Sequence, residues 1–133
     1  FEEDDSVYTF SMHGEKNYPL HKEKSDLDIA LADGTDDQEY LSRLQSELPI
    51  LMDSLNADFI FYQSGVDVLA TDKLGRLGMS IAGCKERDRY VFEEAQKRQI
   101  PEVCSMGGGY SERLADIVEA HANTYRLAQT MYF

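Results

Sequence analysis

The sequence has no tryptophan, only three prolines and only two cysteines in 133 residues. Cys84 and Cys104 have no metal-ligand spacing and form no disulfide framework, so they read as half-buried reduced thiols of a cytosolic protein. No apolar run approaches the roughly eighteen residues that a membrane-spanning helix requires, which excludes such a helix. The first residues, Phe1-Glu2-Glu3-Asp4-Asp5, have neither a basic start nor an apolar stretch, and so do not form a signal peptide. An initiator methionine is also missing, which points to a piece of something longer or to processing. Positive charge is scarce: 13 Lys and Arg stand against 25 Asp and Glu, a net charge of -12. Nucleic acid binding rests on cations that neutralise phosphates, so a direct nucleic acid partner is not expected, nor is an anionic membrane surface.

What is present is ordinary for a soluble globular domain. Hydrophobic residues make up 42% and charged residues 29%, too apolar for disorder and enough for one modest core. The expected location is the cytoplasm, or the nucleus in a eukaryotic source.

Strand-like runs alternate with helical patterns. Ser6–Met12 is rich in β-formers, and Leu27–Leu31 alternates as a short edge strand. Thr35 and Gln38 fit a capping box ahead of a helix whose apolar face is Tyr40, Leu41, Leu44, Leu48, Leu51, Met52 and Leu55. Pro49 falls inside that pattern and predicts a kink or break. Asp58–Gln63 is nearly continuously apolar, as suits a strand buried on both faces. A helix from about Ser80 to Arg98 turns Ile81, Cys84, Val91 and Ala95 inward. Glu102–Met106 is the next strand, and Ser111 is placed to cap a last helix with the stripe Leu114, Ile117, Val118, His121, Ala122 and Tyr125. The order predicts an α/β fold with a parallel sheet flanked by helices. So small a sheet leaves an edge expecting a partner from outside the chain.

Ligands of open parallel sheets bind beyond the carboxyl ends of the strands. The loops leaving those ends carry His13, Asp67, Asp72 and Tyr110. The Gly107-Gly108-Gly109 run is either a flexible strand-to-helix turn or an anion cradle at a helix N-terminus, and its spacing favours the turn. Loop aspartates such as Asp67 and Asp72 more often cap or solvate a turn than bind metal. Of the histidines, His13 reads as solvent-exposed or turn-stabilising, His21 as solvated and His121 as a hydrogen-bonded packing residue.

Five ordered blocks carry more. Phe10-Ser-Met-His-Gly-Glu-Lys-Asn-Tyr-Pro-Leu20, Ser25-Asp-Leu-Asp-Ile29 with Asp33-Gly-Thr-Asp-Asp37, Gln63-Ser-Gly-Val-Asp-Val-Leu-Ala-Thr-Asp-Lys-Leu-Gly75, Met106-Gly-Gly-Gly-Tyr110 and Val118-Glu-Ala-His-Ala-Asn-Thr-Tyr125 together resemble the C-terminal half of the zinc-dependent histone deacetylase family. The wording is closest to small bacterial and class IV-like members, and the blocks cover nearly the whole chain. The resemblance implies the C-terminal part of an arginase/deacetylase-like three-layer α/β/α domain over residues 1–133. It also implies hydrolysis of an acylated lysine peptide or another acylated amine. By motif Asp72 is implied as a Zn2+ ligand and Tyr110 as the donor to the oxygen that becomes negative. Tyr18 and Met79 are implied to line the acyl-lysine tunnel, Gly108 and Gly109 to let backbone and acyl-lysine come close, and backbone carbonyls of Ser11 and Met12 to form part of a structural K+ site. The family's paired general-base histidines and its other two zinc ligands lie in a preceding half that these residues do not include, so the 133 residues alone are expected to be inactive.

Overall fold

The computed structural model describes residues 1–133. The elements run β1 (Phe10–Gly14), β2 (Leu27–Leu31), α1 (Asp37–Leu55), β3 (Ile60–Gly65), α2 (Ile81–Arg98), β4 (Glu102–Gly107) and α3 (Leu114–Tyr132). The chain is therefore α/β, with parallel strands alternating with helices. No helix is long and apolar enough to cross a membrane.

The strands form two parallel pairs. β1 pairs with β2 from Phe10↔Leu27 to Gly14↔Leu31, and β3 pairs with β4 from Ile60↔Glu102 to Gly65↔Gly107. No ladder joins the pairs; the single sheet anticipated from the element order is in two pieces. β1 begins four residues later than expected, because Thr9 is engaged elsewhere. Its backbone N–H and hydroxyl both donate to Asp26, each at 2.7 Å.

Helix boundaries follow local chemistry. Asp36, not Thr35, caps α1, accepting from the Glu39 N–H at 3.0 Å. A carboxylate there also answers the partial positive charge of the helix start. Thr35 is buried, its hydroxyl donating to the Ala32 carbonyl. Pro49 does not break α1, because Tyr40, Leu44, Leu48 and Met52 hold the helix to the core through burial. Ser80 caps α2 through the Gly83 N–H. α3 starts at Leu114 without any side-chain cap, and Ser111 instead shares a 2.8 Å hydrogen bond with Thr71.

α2 packs against both α1 and α3, so the helices form one layer. The core joins that layer to inward side chains of β1, β2 and β3, among them Met12, Ile29, Ile60 and Tyr62. On β3 and β4 the opposite face is bare: Phe61 is 84% exposed, Val103 is exposed beside it, and Phe59 stacks on Phe61 with centroids 5.0 Å apart. The last helix also departs from its predicted stripe. Its buried line is Ala120, Asn123, Thr124 and Leu127, whereas Leu114, Val118 and Tyr125 are exposed.

Candidate functional site

Because β3 and β4 are parallel and in register to Gly65↔Gly107, the loops after them leave the same rim. The loop after β2 joins them: the Gly34 N–H donates to the Arg76 carbonyl at 2.7 Å, the Gly78 N–H to the Thr35 carbonyl at 2.8 Å, and Arg76 pairs with Asp33 at 3.1 Å. Asp67, Asp72, Gly108, Gly109 and Tyr110 are thus gathered at one place.

Asp72 is the clamp of this rim. Its Oδ1 accepts the Leu74 and Gly75 N–H groups at 2.9 and 2.7 Å, and its Oδ2 accepts the Tyr110 N–H at 2.6 Å. One carboxylate therefore closes its own turn and fastens the glycine loop, and a bridge between Asp72 and Ser111 continues the attachment. This use of the Tyr110 N–H speaks against an anion cradle, since the donor already serves a carboxylate.

Asp67 behaves differently. No other residue donates to its carboxylate, and burial, with Asp72 adding to it, holds its carboxyl above its ordinary value against the lowering effects of its own backbone N–H and of Arg87. It packs against Gly108, where the backbone has φ +62°; a Cβ there would come within 2.8 Å of the Asp67 side chain. Glycine is required at that position by both conformation and space. Asp67 fits an oxygen ligand for a hard or borderline cation, being partly desolvated and accepting from no other residue. No group of three His, Cys, Asp or Glu side chains in the chain could hold one ion.

The remaining predicted residues are dispersed. Tyr110 is exposed at the rim, its ring free of any hydrogen bond. Met79 is 1% exposed within the core and bridges to Leu69, so it cannot line an open tunnel; Leu74, in the same loop, is exposed. Tyr18 is 88% exposed on the β1–β2 loop. Lys22 holds that loop, donating to the carbonyls of Glu15, Asn17 and Pro19 at 3.0, 2.7 and 3.0 Å. No hydrogen bond connects it to the Asp72 rim. Ser11 and Met12 lie in β1 opposite Asp28 and Ile29, with Ser11 bonded to His13 at 2.8 Å. His121 has a buried Nδ1 without a partner, in place of the hydrogen bond expected for it. Cys84 is buried, its thiol pushed up to about 11 by desolvation, while Cys104 is half-buried and donates to Ser64. Sequence reasoning missed a buried ion pair, Arg87–Asp88, although positions 87 and 88 fall between Cys84 and Val91 on the inward face of α2.

Known proteins resemble this chain in both sequence and fold. The family profile for the histone deacetylase domain matches residues 1–125. An uncharacterized protein of Picosynechococcus sp. is 39% identical over 132 residues, covering 99% of this chain and 44% of the relative. Histone deacetylase 2 of Arabidopsis thaliana is 30% identical over 119 residues, covering 87% and 31%. Among solved structures, the HDA15 HD domain superposes with a TM-score of 0.75 at 19% identity, over 97% of this chain and 40% of the other. The acetylpolyamine aminohydrolase of Burkholderia pseudomallei gives 0.70 at 17% identity, over 90% and 36%. The chain spans less than half the length of each of these proteins. With a profile match over nearly all its residues, it belongs to the histone deacetylase domain family.

Proposed function

We propose that these residues form the C-terminal part of a zinc-dependent amidohydrolase site that acts on an acylated lysine peptide or a related acylated amine. The observation that carries this reading is the joining of Asp67 and Tyr110 at one rim through the Asp72 clamp. Asp67 takes the ligand role that the motif assigned to Asp72, because the oxygens of Asp72 already accept three backbone N–H groups. Zinc, when bound, polarises an amide carbonyl and makes its water acidic. Tyr110 donates its hydroxyl to the carbonyl oxygen as negative charge develops, and Asp72 fixes the backbone from which that ring projects. Gly108 and Gly109 let the backbone approach the substrate without a Cβ. Tyr18 forms an outer wall for the acyl-lysine stem, and carbonyls of Ser11 and Met12 are the candidates for a K+ site. The remaining zinc ligands and the general base come from polypeptide beyond these 133 residues, so the chain alone is inactive.

The test uses the longer polypeptide that contains this chain. Tyr110→Phe is expected to lower kcat on an acetyl-lysine peptide by about 100- to 1000-fold with zinc content unchanged, the usual effect of losing one such donor. Asp67→Asn is expected to lose zinc. Undiminished turnover in Tyr110→Phe would sink the reading.

A further inference from the structure

Arg87 and Asp88 lie side by side on α2, 4% and 0% exposed. Desolvating two ions costs several kcal/mol each, and apolar replacements of buried pairs are often at least as stable, so packing alone does not account for this pair. Asp88 collects the Tyr62 hydroxyl of β3 at 2.5 Å and the Thr124 hydroxyl of α3 at 2.6 Å. Arg87 Nε donates to Asp88 Oδ1 at 2.9 Å, and Nη2 lies 2.8 Å from the same oxygen as an ion-pair contact that is not a hydrogen bond. Its Nη1 points elsewhere, donating to the carbonyl of Gly65 at 2.7 Å.

Gly65 ends β3 and stands two residues before Asp67. The same peptide unit presents the Val66 N–H, which donates to the Gly107 carbonyl at 2.9 Å. Arg87 thus grips one side of the Gly65–Val66 peptide and β4 grips the other, which sets the direction in which the chain leaves the sheet. The approach is close enough that a Cβ on Gly65 would lie 2.9 Å from Asp67 Oδ1. Only a planar fork with several fixed donors can hold a carboxylate and a carbonyl at once in this way.

We propose that Arg87 is a positioning residue for Asp67: locked on Asp88, its guanidinium sets the Gly65–Val66 peptide plane and thereby aims the Asp67 carboxylate at the metal position. This rests on the reading of Asp67 as a zinc ligand. Thr124 belongs to the same buried network, but its hydroxyl donates to Asp88 and not to the Gly65–Asp67 segment.

The experiment compares zinc affinity, by competition with a chromophoric chelator, in the longer polypeptide and its variants, with melting followed in parallel. Arg87→Leu combined with Asp88→Leu removes the pair without leaving a lone charge. It is expected to melt cooperatively, bind zinc at least tenfold more weakly, and lose kcat with KM for an acetyl-lysine peptide unchanged. Thr124→Val is expected to lower the melting temperature while zinc affinity stays within twofold. Should the double variant not fold, Arg87→Lys decides, since an ammonium on Asp88 does not also reach the Gly65 carbonyl: at least a threefold loss of affinity is expected. Wild-type zinc affinity in the double variant, or in Arg87→Lys where that variant decides, would overturn the proposal, as would equal weakening by Thr124→Val. A wild-type polypeptide that takes up no zinc, with Asp67→Asn indistinguishable from it, would instead remove the amidohydrolase reading and the positioning role with it.

Discussion

Asp67 and Asp72 are five positions apart, share a loop, and carry opposite consequences for stability. The Asp72 carboxylate accepts three backbone N–H groups. Truncating it to alanine orphans those donors, so Asp72→Ala is expected to cost about 2–3 kcal/mol in urea unfolding of the metal-free longer polypeptide. Asp67 is held above its ordinary titration range by burial and by Asp72. A raised carboxyl contributes its stability below the unfolded value and loses it as pH rises through the folded one. Asp67→Asn is therefore expected to equal or exceed the wild type in metal-free stability near pH 7, and to lose that advantage toward pH 4. Loss of stability in both variants at neutral pH would show that Asp67 has donors of its own. From sequence, both aspartates were visible as loop residues at a strand end. Their division of labour was not, because it depends on which backbone N–H groups the fold turns toward each carboxylate.

At the scale of the element, α2 was legible almost to the residue, because Ser80 caps it and Pro101 follows it. α3 was legible as a helix but not in its start or its buried face. Its N-cap position, Arg113, has extended backbone geometry and no side-chain bond to the first turn. Serine in that geometry can accept from a first-turn N–H, so Arg113→Ser is expected to stabilise by about 1 kcal/mol, read as an upward shift in thermal melting. An unchanged or lower midpoint would mean that the weak Arg113–Asp116 contact at 3.8 Å already does the same work. The apolar stripe from Leu114 to Tyr125 is real as a pattern, yet Thr124 and Asn123 face inward instead. Thr124 is drawn there by Asp88, a partner 36 positions away that periodicity does not register.

For the whole molecule, the two strand pairs and the bare face of β3 and β4 belong together. Parallel strands are ordinarily covered on both faces, and here α2 and α3 meet one, through Phe92 and Asp88 against Tyr62 and through Tyr132 on Glu102. Covering a phenylalanine is worth about 1.5–3 kcal/mol, so leaving Phe61 84% exposed forgoes that much. Purified alone, the 133-residue chain is expected to bind an apolar dye and to self-associate, and Phe61→Ser to reduce both without lowering the melting temperature. A monodisperse, dye-free wild-type chain would contradict this. The sequence by itself determined the order of elements, the parallel α/β class, the family and the loops that reach the rim, because each is written in local periodicity, turn residues and ordered motifs. Tertiary structure alone decided that Asp72 clamps while Asp67 stays free, that Met79 is core, and that Arg87 reaches the end of β3. Those outcomes depend on which distant groups meet, and no local pattern carries that information.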